Sequence, residues 1–191
     1  MTILFITGNK DKLREVQALI PNVQGVDMDL AEIQEIDAQK IITAKLAEAQ
    51  KHHSGAFMVE DTSLSLDAMN GLPGSLVKWF VKSIGIEGIY KLTEAFQSTS
   101  ATARTLIGYA DEDACIHFFE GSISGTLVPP RGIDGFGWDA IFQPERSSKT
   151  FAEMTPDEKS EFSMRRIAVE GLRGHLEQEE KVGAKEKSYH R

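Results

Sequence analysis

The sequence has a single cysteine, Cys115, among 191 residues. That excludes an internal disulfide framework and any metal site built on several thiolates. It has no apolar run near the roughly 18 residues of a membrane span, and Met1-Thr2 leads only into the short run Ile3-Leu4-Phe5-Ile6 before Thr7-Gly8-Asn9, without a leader pattern. Positive charge is short as well. The 21 Lys and Arg against 29 Asp and Glu leave a net charge of −8, which argues against a protein that tracks a nucleic-acid backbone. No Gly-x4-Gly-Lys-Ser/Thr phosphate loop, nucleophile elbow, internal repeat or low-complexity linker is present. What is there, 41% hydrophobic and 26% charged residues, is enough to bury the core of one globular domain. A reducing, cytoplasmic location is the default expectation.

Ile3-Leu4-Phe5-Ile6 reads as a strand buried on both faces of a mostly parallel sheet, broken by Thr7-Gly8-Asn9. A helix is predicted over about 10–20, with Leu13, Val16, Leu19 and Ile20 on its apolar stripe. A short strand near 26–28, the acidic loop Leu30-Ala31-Glu32 and a helix over about 37–51, with Ile42, Leu46 and Ala49 inward, follow. Phe57-Met58-Val59 reads as a second buried strand ending at Glu60-Asp61, and two short helices are predicted over about 76–83 and 86–96. The next region has hairpin texture, with strands at 101–110 and 115–120 around Asp111-Glu112-Asp113 and a third at 122–128. Thr155, Pro156 and Glu158 form a capping box for a last helix running to about 178, leaving 179–191 as a charged, frayed tail.

Four parts could carry chemistry. The turn into the first helix offers unpaired backbone N–H groups and the positive end of the helix dipole, reinforced by Lys10 and Lys12. It also suits an ordinary βα turn with Gly8 at an awkward angle. Glu60 and Asp61 sit at the carboxyl end of a strand, where open α/β sheets place ligands, and alternation lets one of them face a cleft. With Glu32 they offer oxygen ligands suited to Mg²⁺, although solvated acids at a strand end look the same. Arg165 falls within the apolar stripe of Phe162, Val169, Leu172 and Leu176, so it snorkels, pairs with an acid or meets an anionic ligand. Phe136-Gly137-Trp138-Asp139 suits stacking a purine and binding its edge, or simply core packing. The five histidines (52, 53, 117, 175 and 190) show no metal-ligand spacing, and Cys115, inside an apparent strand, reads as packing.

Taken together, Thr7-Gly8-Asn9-x-x-Lys12, Val59-Glu60-Asp61-Thr62-Ser63-Leu64, Gly71-Leu72-Pro73-Gly74, Lys78-Trp79-Phe80, Phe136-Gly137-Trp138-Asp139 and Ala152-Glu153-Met154 through Lys159 occur in an order that resembles the inosine triphosphate pyrophosphatases. The likeness spans about residues 2–176, and Trp138 resembles the eukaryotic-like branch, since bacterial relatives often carry tyrosine there. The resemblance implies an elongated single α/β domain over 1–178, with a long mixed β-sheet flanked by helices and two lobes around a central cleft. It further implies a homodimer and Mg²⁺-dependent hydrolysis of ITP, dITP and XTP to the monophosphate and pyrophosphate. Thr7, Gly8, Asn9, Lys10, Asp11 and Lys12 are then expected to hold the triphosphate, joined by Lys45, Thr62 and Lys78. Glu32 and Asp61 are expected to position the metal, with Asp61 the base for the attacking water. Phe136, Gly137, Trp138 and Asp139 are expected around the base, with Lys159, Met164 and Arg165 completing its pocket. The family normally reads Ser-His-Arg where this chain reads Ser163-Met164-Arg165, and a thioether cannot donate the hydrogen bond of an imidazole. Two alternatives stay open: a pyrophosphatase with another base preference (dUTP or a modified pyrimidine), and a non-catalytic nucleotide-binding module.

Overall fold

The computed structural model describes residues 2–189 except 29, 31 and 53, so Ala31 of the acidic loop and His53 and His190 lie outside the described residues. It is an α/β domain built on a mixed seven-stranded sheet, as expected. The sheet order is β2-β1-β3-β5-β6-β7, with β4 pairing β3. The strands are β1 (Ile3–Ile6), β2 (Val23–Val26), β3 (Ala56–Leu66), β4 (Pro73–Gly74), β5 (Ser100–Ala110), β6 (Ile116–Leu127) and β7 (Phe142–Pro144). The helices are α1 (Lys10–Gln17), α2 (Ala38–Ala49), α3 (Val77–Ala95), α4 (Pro156–Glu161) and α5 (Met164–Tyr189). No described helix is long and apolar enough to cross a membrane.

β1, β2 and the start of β3 are parallel, and the chain steps to one side from β1 to β2, then back past β1 to β3. The reversal makes the carboxyl ends of β1 and β3 a topological switch point, where such sheets open a crevice. The two connecting helices take opposite faces. α1 and α5 cover the core of Phe5, Met58, Ile107, Tyr109 and Val169. α2 covers Phe57, Val59 and Leu106 with Ile42 and Leu46, the stripe its periodicity predicts. A third core, around Leu64, Leu66, Trp138, Phe142 and Phe151, closes the other end of the sheet against α3.

Several expectations are corrected. β2 lies three residues earlier than predicted, in register Ile3 to Val23. β3 does not stop at Glu60-Asp61: antiparallel pairing with β5 carries it from Phe57 to Leu66. β6 is likewise one strand where two are predicted, because glycine at 121 leaves the ladder to β5 unbroken. Cys115 is exposed and precedes β6. The two helices predicted over 76–96 are present as α3, kinked at Gly85, whose φ of +70° only glycine adopts easily. The capping box at Thr155 forms as predicted, yet its helix ends at Glu161. The Ser163 hydroxyl accepts from the Arg166 N–H at 3.1 Å and starts a second helix, which runs on to Tyr189. A Cβ at residue 121 would lie 2.0 Å from the Met164 carbonyl oxygen, so Gly121 is what lets α5 begin against β6.

Candidate active site

Along one edge β3 pairs β1 at residues 56–58 and β4 at residues 64 and 65. Its other edge pairs β5 throughout. Between β1 and β4 no described strand pairs this edge of β3, and that gap holds Glu60, Asp61 and Thr62. A cavity of about 220 Å³ opens there, lined by all three together with Lys12, Glu32, Lys45 and Lys78. Residues from five separate stretches of chain thus meet at the switch point.

Alternation along β3 sends Glu60 and Asp61 to opposite faces. Glu60 turns toward α1 and α5, where Lys12 Nζ lies 2.7 Å from Oε1 and Arg165 Nε 2.8 Å from Oε2. Burial alone would raise its pKa, but Arg165 and Lys12 outweigh burial and hold the carboxyl well below the usual range. Arg165 completes its own pairing with Glu15, 2.7 Å away. Of the three fates open to an arginine in that stripe, the structure has the ion pair.

Asp61 turns toward α2. The Ser75 hydroxyl donates to its Oδ2 at 2.7 Å. Burial pushes its pKa up and Glu32 adds to the rise, against the opposing pull of Ser75, Lys45 and Lys12. Glu32 is more open. Its pKa is lowered because Lys45 and Lys78, 2.5 and 3.6 Å from its two oxygens, outweigh burial.

The turn before α1 differs from expectation. The Asn9 side chain accepts from the N–H groups of Asp11 (3.0 Å) and Lys12 (3.1 Å), and Thr7 Oγ1 accepts from the Asn9 N–H. The N–H groups expected to be unpaired at residues 11 and 12 are therefore capped. Thr7, Gly8, Asn9 and Lys10 are absent from the described lining of the cavity, whereas Lys12 reaches it. Asp11 pairs with Arg14 at 2.7 Å.

On the α5 side, Thr62, Phe136, Gly137, Trp138, Asp139, Lys159, Met164 and Arg165 line one narrow recess. The aromatic segment combines both readings of its composition. Trp138 is buried edge-on against Phe142, with centroids 5.5 Å apart, while Phe136 stays partly exposed. Lys159 bonds Asp139 at 2.7 Å and lies 4.9 Å above the Phe136 ring. Asp139 also accepts from the Phe136 N–H at 3.0 Å, so the loop is tied to α4 through one carboxylate. An adjoining cleft of about 930 Å³ runs past Phe136, Lys159 and Arg165 toward Glu15 and Leu19.

Sequence reasoning missed Ser75, Gln34 and Trp79, which line the same cavity. Ser75 directly follows the turn Gly71-Leu72-Pro73-Gly74, and only the pairing of Leu64 with Gly74 brings it to Asp61. The Trp79 indole N–H donates to the Gln34 side chain, closing the cavity's outer wall.

A model of the family described as the Ham1 family matches residues 3–175 of this sequence. The chain belongs to the Ham1 family. Among its relatives, an inosine triphosphate pyrophosphatase of Schizosaccharomyces pombe is 43% identical over 182 residues, covering 93% of this chain and 96% of that protein. A Kluyveromyces lactis inosine triphosphate pyrophosphatase is 42% identical over 185 residues, covering 91% of this chain and 95% of its own. The Ham1 protein of Staphylococcus aureus superposes with a TM-score of 0.81 at 24% identity, over 93% of this chain and all of that one, a likeness of fold. The family resemblance read from the motifs is thus borne out, and the Ham1 fold accounts for the sheet and its cleft.

Proposed function

We propose that this chain hydrolyses non-standard purine nucleoside triphosphates such as ITP, dITP and XTP, releasing pyrophosphate and a nucleoside monophosphate. One observation carries the reading: Asp61 is a buried carboxylate with a raised pKa, at the switch point of the sheet, beside Lys12, Lys45 and Glu32. The Schizosaccharomyces pombe and Kluyveromyces lactis relatives, named for ITP pyrophosphatase activity, support the substrate class. In this reading Asp61 accepts the proton of the water that attacks the α-phosphorus, and Ser75 fixes the carboxylate's orientation. Lys12, Lys45 and Lys78 neutralise the phosphate chain arriving from the turn at Thr7, Gly8, Asn9, Lys10 and Asp11. Phe136 and Trp138 enclose the base, Asp139 and Lys159 meet its edge, and Thr62, Gly137, Met164 and Arg165 shape the recess.

Glu32 and Asp61 both line the cavity and supply hard carboxylate oxygens that fit Mg²⁺, an ion that keeps several waters and takes phosphate oxygens as further ligands. Bound there, the ion supplies charge neutralisation at the phosphoryl group. The same reading carries a homodimer and a cytoplasmic location. Sedimentation of the purified chain tests the first, and the single exposed thiol is in keeping with the second. A non-catalytic binding module would not need a buried carboxylate at this position.

Incubation of the purified chain with ITP and Mg²⁺, with products resolved by anion exchange, tests the proposal. IMP and pyrophosphate are expected. IDP and orthophosphate would overturn the cleavage site, and a kcat/KM for dUTP above that for ITP would overturn the substrate class.

A further inference from the structure

Away from the cleft, on the α5 face of the sheet, His117, His175 and Glu179 bring one ligand atom each to within 4.8 Å of one another. His117 lies on β6 opposite Tyr109 of β5, and His175 and Glu179 lie one turn apart on α5. The two imidazole rings are 4.3 Å apart. Glu179 is 3.2 Å from His175 Nε2, but without hydrogen-bond geometry, so that buried nitrogen has no hydrogen-bond partner among the described residues. Independently, Tyr109 is fully buried and its hydroxyl has no hydrogen-bond partner among the described residues, an arrangement that costs free energy unless something meets it. The Tyr109 ring is 6.2 and 6.1 Å from the two histidines. Behind His117, Asp111 Oδ2 is 3.3 Å from Nε2, while Asp111 Oδ1 accepts from the N–H groups of Asp113 and Cys115 and so is fixed by the turn.

We propose that His117, His175 and Glu179 form a second metal site, for a borderline transition-metal ion of the Zn²⁺ class, with the Tyr109 hydroxyl facing it and Asp111 orienting His117. Two imidazoles and one carboxylate with a free fourth position are a zinc donor set, whereas Mg²⁺ selects oxygen donors. A carboxylate bonded to a ligating histidine is the usual outer support. Zinc bonds of about 2.0–2.1 Å require the donors to draw together by roughly an ångström, a movement available to the exposed Glu179 side chain on its helix. The ion would balance the negative charge gathered there and tie α5 to the β5–β6 hairpin. The site is independent of the proposed hydrolysis: Asp61 lies on the other face of the sheet, on β3.

The test is calorimetric titration of the full-length, tag-free chain with Zn²⁺ in excess Mg²⁺, with Co²⁺ as a spectroscopic probe. One equivalent of Zn²⁺, four-coordinate visible bands for Co²⁺ and a higher thermal midpoint are expected. Asp111→Asn should weaken binding by about 10- to 100-fold. His117→Ala with His175→Ala should abolish it, and Asp61→Asn should leave it intact. Should the double variant fail to fold by circular dichroism, Glu179→Gln, altered at an exposed position, decides. No bound Zn²⁺ in the unmodified chain, or undiminished binding in these variants, overturns the site.

Discussion

Glu60 and Asp61 are neighbours in sequence, equally buried and chemically alike, yet the two faces of β3 put them to opposite uses. On the α5 face every charge is answered: Glu60 holds Lys12 and Arg165, and Arg165 holds Glu15. On the α2 face Asp61 has one neutral donor, Ser75, and an open cavity. Environment therefore drives the two pKa values apart. A carboxylate held ionised by two cations is a poor proton acceptor, and one raised by burial is a good one. On the proposed reading, structural and chemical roles are separated by a single residue step along a strand.

That contrast can be broken from either side. Asp61→Asn keeps the shape but removes the proposed base, and kcat for ITP should fall by about 10²- to 10⁴-fold with little change in nucleotide affinity by calorimetry. Glu60→Gln leaves Lys12 without its anion and Arg165 with Glu15 alone, and should cost about 3–5 kcal/mol in urea unfolding. The sign of the acid effect follows. Glu60 is depressed in the folded state, so its stabilisation is complete above the ordinary value of 4.5 and is lost as pH falls toward the folded value. Glu60→Gln should remove that part of the acid destabilisation. Ser75→Ala deletes the donor that favours ionised Asp61. The acid limb of kcat should move to higher pH, by an amount worth about 1.5–3 kcal/mol at most. Smallest is Met164→His, which restores a donor to the recess. It should improve kcat/KM for ITP by roughly two- to twelve-fold, the worth of one neutral hydrogen bond.

Local signals were legible and distant pairings were not. β1 reads correctly from four apolar residues, the start of α4 from Thr155-Pro156-x-Glu158, and the α2 stripe from periodicity, because each is decided by neighbours in the chain. The stop wrongly expected at Glu60-Asp61 came from treating two acids as a strand end; β5 supplies the ladder that carries the strand past them. Within the last helical region Ser163 is a capping residue, but a serine on the face beside a regular apolar stripe gives no reason to break it. The motif resemblance drew Asp61, Glu32, Lys45 and Lys78 together, and the structure brings these four to one cavity. Ser75 had no signal of its own. Nor had His117 with His175: one is on a strand and the other on a helix 58 residues on, so spacing rules written for one loop or one helix cannot detect them.

The unbroken run of β3 beneath the cleft has a mechanical consequence. Opposing walls that share a single hydrogen-bonded beam cannot swing apart about a loop, because any such rotation would have to bend the beam and shear its ladder to β5. Entry and exit of a guest must then be governed by the pieces mounted around the rim, chiefly the glycine-rich turn carrying Phe136 and the front of the kinked α3 with Lys78 and Trp79.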